Sequence, residues 1–328
     1  MLQAQRRFHE GFITVRNKIK EMAELSNCPV TSIVSFHSDG QWRFPREIIE
    51  QDYHPYNQGY GKMSHSGYHS LDIAMWFAES SLSEDKKWDN FQLYTQFIRP
   101  YDFINQLNKD DYFKLFPDLD QNLLNDEIVK NIGNIKGELD AFTNISLKKG
   151  NAIITNITCN AIHNGFSQRN WIDATGRDLY KGNGRVRQES YLIEQGPFQS
   201  IVINSFQSEE IFKSNLHPYD TGGEYHFDID IFRNSKLFPE CKAYEHINMK
   251  DLRPMDEENG YSRGHQEAAR RTCNTEFFKA ILNEIPISKQ TSNFLTHEIT
   301  TKLLSSIYLS SSRESNNKIN IIKQKINI

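Results

Sequence analysis

The sequence predicts an α+β fold: a mainly antiparallel open β-sheet with helices packed on one face. Hairpin-spaced strand patterns crowd between residues 138 and 232, while helical stripes occupy both ends of the chain. Strict alternation of Tyr225, Phe227, Ile229 and Ile231 with Glu224, His226, Asp228 and Asp230 marks a strand with one face packed and the other polar or joined to a partner.

Phe8, Phe12, Val15, Ile19, Met22 and Ala23 recur at three- and four-residue steps and predict an amphipathic helix from Phe8 to Leu25. Asn27 and Pro29 stop it, because proline cannot continue the hydrogen-bond ladder. Val30, Ile33, Val34 and Phe36 then form a short β-rich run that ends at the turn dipeptide Asp39-Gly40. Residues 41–62 mix aromatics, prolines and glycines with ionisable groups and follow no period, so they read as a loop of the kind that lines sites. A second helix is predicted from Ser64 to Ala78. Residues 84–137 are polar and poorly periodic apart from the aromatic run Phe91 to Tyr101, and read as an insertion or peripheral layer. Strands follow at Glu138–Leu147 and Ala152–Ile162, around Lys148-Lys149-Gly150-Asn151, and at Arg187–Glu194 and Phe198–Phe206, around Gln195-Gly196-Pro197. Helical patterns from Glu267 to Leu282 and Phe294 to Leu309 close a domain of residues 1–310, and 311–328 read as a flexible tail.

With 38 Lys+Arg against 42 Asp+Glu, a net charge of -4 argues against a chain dedicated to gripping nucleic acid. An aromatic content of 12% and a charged content of 24% exclude wholesale disorder. No apolar run is long enough to cross a bilayer, and none follows the first methionine as a signal peptide would, so a soluble protein is expected. Cys28, Cys159, Cys241 and Cys273 lie far apart with no C-x-x-C pair, which makes neither a disulfide scaffold nor a zinc ribbon. Reduced thiols and a cytoplasmic location are expected. A sheet with one uncovered face predicts a homo-oligomer.

The stretch with most chemistry is Gly61-Lys62-Met63-Ser64-His65-Ser66-Gly67-Tyr68-His69-Ser70-Leu71-Asp72. On a helix His65, His69 and Asp72 project from one side, and Lys62 and the Tyr56–Tyr60 loop can fold back over it. Histidine exchanges protons near neutral pH, and a lysine alongside adds a cation for an alkoxide or carbonyl oxygen. Gly67 leaves the first turn open to a ligand. The candidates for catalysis are therefore His69, His65 and Lys62. Trp42-Arg43 and His54-Pro55-Tyr56 either form a pocket wall, the arginine offering a fork for hydroxyls or phosphate, or pack the loop on the sheet. The same histidines also fit plain core or surface positions, and Lys62 an exposed lysine beside a glycine turn. H-x-x-x-H is the spacing of a two-histidine metal clamp, but no glutamate lies between as in H-E-x-x-H. A third ligand would have to be His54, His37 or Asp72, and no metal is assigned.

The run Gly67-Tyr68-His69-Ser70-Leu71-Asp72-Ile73-Ala74-Met75-Trp76-Phe77 resembles the D-x-G-x-H-x-x-D-x-x-x-W-L segment of the Gfo/Idh/MocA oxidoreductases. Gln5-Arg6-Arg7-Phe8 resembles the start of that family's second domain, the hairpin of 138–162 its sheet with Lys149-Gly150-Asn151-Ala152 at the turn, and Glu267-Ala268-Ala269-Arg270 with the helix from Phe294 its closing helices. The resemblance implies the fold of the family's C-terminal domain and hydride transfer between NAD or NADP and a sugar or polyol. It places His69 on the catalytic histidine, and His65 where most members carry aspartate. Tyr68 and Asp72 join Trp42, Arg43, His54 and Tyr56 as substrate-binding candidates. The family's G-x-G-x-x-G turn and E-K-P motif do not occur, and Gly182-x-Gly184 lacks the third glycine. The chain thus resembles a substrate and oligomerisation domain, truncated or completed by a separately encoded Rossmann-domain chain. The alternative is a non-catalytic carbohydrate-binding or oligomerisation module.

Overall fold

Phe12, Val15, Ile19 and Met22 bury the inner stripe of α1 (Glu10–Ser26), and Asn27 ends it in the left-handed region at φ 52°. In the computed structural model, which describes residues 2–169, 184–208, 217–252 and 264–326, α1 lies on a nine-stranded sheet. Its strands are β1 (Ser32–Ser38), β2 (Asn90–Ile98), β3 (Asp140–Lys149), β4 (Ala152–Ile162), β5 (Val186–Gln195), β6 (Gln199–Ser208), β7 (Asp228–Arg233), β8 (Tyr244–Asn248) and β9 (Ile322–Lys325). They run in the order β8-β7-β6-β5-β1-β4-β3-β2-β9. The β1–β4 pair is parallel and the other pairs are antiparallel, so the α+β reading holds. Gly182 lies outside the described residues.

The core fills the space between one sheet face and three helices, α1, α3 (Tyr68–Glu79) and Glu298–Ser315. Ser70 to Ala78 of α3 are all buried, because this helix has the sheet on one side and other helices on the other. A second cluster joins Phe44 and Ile48 to Phe103, Tyr112, Leu124 and Ile132. It is built by α2 (Pro45–Glu50), α4 (Pro100–Gln106), α5 (Lys109–Leu115) and α6 (Asp126–Ile132). The opposite sheet face leaves Val34, Tyr94, Phe142, Leu192, Phe232 and Tyr244 exposed.

Three sequence expectations change. Residues 41–62 contain α2, started by Pro45 and by the Glu47 carboxylate accepting the Phe44 N–H at 2.6 Å; six residues are too few to show a period. Within 84–137, β2 is an integral strand, since Phe91, Leu93, Thr95 and Phe97 alternate into the core and pair with β3. In the expected tail, Ile322 and Ile326 are buried and β9 pairs with β2. The final helix runs on to Ser315, and β8 escaped the sequence pattern because it is five residues long and mostly polar. Among the described residues no helix is long and apolar enough to cross a membrane.

Candidate active site

Asp39 directly follows the central strand β1. Gly40, at φ +52°, turns the chain there, where a Cβ would collide with the Val186 and Phe166 carbonyl oxygens. Facing Asp39, residues Met63–Gly67 make a π-helical turn before α3. Such a turn carries one residue more than an α-turn and re-aims side chains, a device frequent at functional sites. Gly67 is needed there for packing, since a Cβ would press on the Met63 sulfur, the Lys62 carbonyl and Ala161; the expected ligand approach is corrected.

Around these two turns lies a cavity of about 170 Å³, walled by His37, Asp39, His65, Ser66 and His69 with Arg6, Arg185, Arg187 and Glu189. Asp39 is its charge centre. Oδ1 accepts from Arg185 Nη2 at 2.6 Å, while Oδ2 accepts from Ser66 Oγ at 2.7 Å and Lys62 Nζ at 2.5 Å. Burial works to raise the Asp39 carboxyl, but Lys62, His37, Arg185 and His163 overcome it and hold it well below the usual carboxylate range. Arg6 Nη1 pairs with Glu189 Oε1 at 2.5 Å. A buried hydroxyl network, Ser35–Ser70–Tyr191, runs beneath and ends on Glu189, which accepts from Tyr191 at 2.8 Å.

His65 and His69 both wall the cavity. Burial pushes each imidazole down to about 4, so both are neutral at pH 7 and each keeps one nitrogen able to accept a proton. Nδ1 of His69 is buried with no hydrogen-bond partner among the described residues. Arg43, His54 and Tyr56 wall a narrow crevice on the far side of His65, where Tyr56 OH meets His163 Nδ1 at 2.7 Å.

The other sequence candidates lie elsewhere. Lys62 is fully buried and does not wall the cavity; it reaches it only through Asp39 and His37. Trp42 stacks in the second cluster, its indole N–H 3.3 Å from Tyr112 OH, so the pocket-wall reading is corrected to packing. Asp72 turns away to a buried pair, accepting from Arg7 Nε at 2.8 Å and Nη2 at 2.7 Å, with His297 Nδ1 at 3.0 Å. The Tyr68 hydroxyl lies 3.0 Å from that same His297 Nδ1. The three-residue step from His69 to Asp72 leaves about 60° between them around the axis, enough to put them on different neighbours. Sequence reasoning missed Asp39, Ser66, Arg185, Arg6 and Glu189, and weighed His37 only as a metal ligand. Asp-Gly at the end of a central strand was the one available signal.

Two cofactor questions follow from this geometry. Asp39, His65 and His163 offer atoms within 4.8 Å of one another. Lys62, Ser66 and Arg185 already occupy the Asp39 oxygens, and the positive charge of Arg185 opposes a cation, so no metal is assigned. A dinucleotide does not fit either. Among the described residues the one parallel strand pair is β1–β4, and no glycine-rich turn joins a strand to a helix as a Rossmann fold requires.

No family model matches the chain, and no curated protein matches it. Solved structures do. An oxidoreductase domain protein from Kribbella flavida superposes with a TM-score of 0.55 at 11% identity, covering 100% of this chain and 66% of that one. Levoglucosan dehydrogenase in complex with NADH gives 0.51 at 12% identity with the same coverage. The same enzyme with NADH and L-sorbose gives 0.52 at 11% identity. These are oxidoreductases of the Gfo/Idh/MocA type, and at such identities the likeness establishes the fold. The chain spans 66% of the length of these structures, slightly under two thirds.

Proposed function

We propose that the cavity binds a sugar or polyol and that the chain is the substrate-binding half of an NAD(P)-dependent oxidoreductase of the Gfo/Idh/MocA type. The observation that carries this reading is the convergence of two neutral imidazoles, His65 and His69, on a cavity walled by Asp39 and Ser66, with a buried His69 nitrogen that has no partner among the described residues. Hydroxyl-rich ligands suit such a wall, because every donor and acceptor on it can be matched by an O–H group. His69 would take a hydrogen bond from the reacting hydroxyl, or polarise the carbonyl in the reverse direction. His65, Ser66 and Asp39 would orient the neighbouring hydroxyls. The fold shared with levoglucosan dehydrogenase supports this choice of ligand class.

The nicotinamide would be held outside the described residues, by a separately encoded Rossmann-domain chain, and no step is drawn through it. Ala269 and Arg270 border the cavity from helix Gly264–Ile281. The same helix and the segment after it expose Phe277, Phe278, Ile281 and Leu282, a surface such a chain would cover. A second copy of the protein is proposed for the open sheet face. Turnover of NAD(P)H with a polyol panel, assayed with and without the candidate partner chain, tests the reading. Activity that needs the partner and vanishes in His69→Ala is expected; activity unchanged in His69→Ala rejects the assigned role. The exposed apolar residues of the open sheet face favour a second reading, a carbohydrate-binding or oligomerisation module, which predicts no nicotinamide turnover with any partner.

A further inference from the structure

Arg6, His37 and Lys62 form a chain of contacts that fits only one arrangement of protons. Arg6 Nη2 lies 3.0 Å from His37 Nε2, and Lys62 Nζ lies 2.8 Å from His37 Nδ1. A guanidinium donates and never accepts, an ammonium does the same, and a neutral imidazole has a single accepting nitrogen. With Lys62 charged, one of the two contacts sets donor against donor. Arg6 cannot give up its proton, so the freedom lies with Lys62. As an amine, Lys62 receives the His37 Nδ1 proton on its lone pair while His37 Nε2 accepts from Arg6. One of its own N–H groups still reaches Asp39 Oδ2 at 2.5 Å. The remaining charges then pair evenly, Arg6 with Glu189 and Arg185 with Asp39.

We propose that His37 is the group through which Lys62 exchanges a proton with the cavity, the loss of the Lys62 proton reversing the His37 tautomer and handing Nε2 to Arg6. The assignment of this exchange to a ligand hydroxyl rests on the function proposed above. In the forward step the ligand O–H bond breaks and an Nε2–H bond forms, while the Nδ1–H bond breaks and a new N–H bond forms on Lys62. The electron pair of the O–H bond stays on the ligand oxygen. Arg6 must leave Nε2, and Glu189, already 2.5 Å from its Nη1, holds it. His37 walls the cavity and Lys62 does not, so Lys62 is a positioning residue that acts through the imidazole.

The groups that set this exchange come from every side: Asp39 and His37 at β1, Arg6 before α1, Arg185 and Arg187 at β5, His65 in the π-turn, His163 after β4 and Asp140 at β3. Burial lowers the Lys62 amine to about 8, against the pull of Asp39.

The test is NMR titration of the full chain carrying 13Cε-labelled lysine and 15N-labelled histidine. Lys62 is assigned by loss of its signal in Lys62→Met or, should that variant not fold, by its proximity to His37. One lysine titrating near 8 is expected, with His37 protonated on Nδ1 above that midpoint and on Nε2 below it. In His37→Gln the amide oxygen accepts from the ammonium, so the lysine midpoint rises. Lysines that all titrate in the ordinary range near 10.4, or a His37 tautomer that stays fixed across the titration, overturn the proposal. These signals come from the free protein: failure of every polyol to bind would remove the ligand reading and leave this titration intact.

Discussion

Asp39 stays ionised in a buried place because its two oxygens hold Lys62, Arg185 and Ser66. Asp39→Asn removes the charge and leaves the Arg185 guanidinium without its partner, at a cost of about 3–5 kcal/mol read from urea unfolding; a loss under about 1 kcal/mol would deny Asp39 its central place. The imidazoles set a different dependence. His65 and His69 are pushed down to about 4 by burial, so the folded state keeps them neutral while the unfolded chain takes up protons below the ordinary value of 6.5. Their contribution is complete above 6.5 and is lost between 6.5 and about 4, and each wholly buried imidazole steepens the decline by about 1.4 kcal/mol per pH unit. His65, the less buried of the two, contributes less. His69→Gln should flatten the slope of stability against pH across that window. At this scale His65 and His69 were legible because their four-residue spacing is local. Asp72, three residues further, was not, because its partners Arg7 and His297 come from distant parts of the chain and no spacing rule names them.

Most elements with a clear period were read correctly, although the alternating run from Glu224 becomes strand only at Asp228, and those without a period were missed. The β3–β4 hairpin announced itself through two long strands and Gly150, which sits at φ +57° in the turn. Short α2 and β8 have too few residues to display any repeat. The π-turn at Met63–Gly67 is invisible to a helical stripe, since the side-chain pattern assumes one constant rotation per residue. The turn after β1 gives a sharp prediction. Gly40 and Gly59 both have positive φ, but a Cβ at Gly59 would meet nothing within 4 Å, whereas at Gly40 it would strike two backbone carbonyls. Gly59→Ala should cost about 1 kcal/mol of left-handed strain, and Gly40→Ala clearly more, together with loss of the Asp39 position. Equal losses in the two variants would mean that the Asp39 turn is not held by close packing.

For the whole molecule, the sheet covers one face with helices and leaves the other with Val34, Tyr94, Phe142, Leu192, Phe232 and Tyr244 exposed. Val34 and Leu192 are direct partners across β1 and β5, which places an exposed apolar pair at the sheet centre. Light scattering should find an oligomer, and Val34→Glu with Leu192→Glu should release monomers of unchanged far-UV spectrum. A wild-type chain monomeric at every concentration would refute this use of the face. The covered face supports the central claim, that the cavity beneath α1 and the π-turn is a site for a sugar or polyol. Calorimetric titration with levoglucosan and L-sorbose, in wild type and His69→Ala, tests it most directly. Binding by the wild type is expected, with at least about tenfold weaker binding, 1.4 kcal/mol, in a His69→Ala variant that unfolds at the same temperature. Equal affinity in the two proteins, or no binding of either ligand to the wild type, would contradict it.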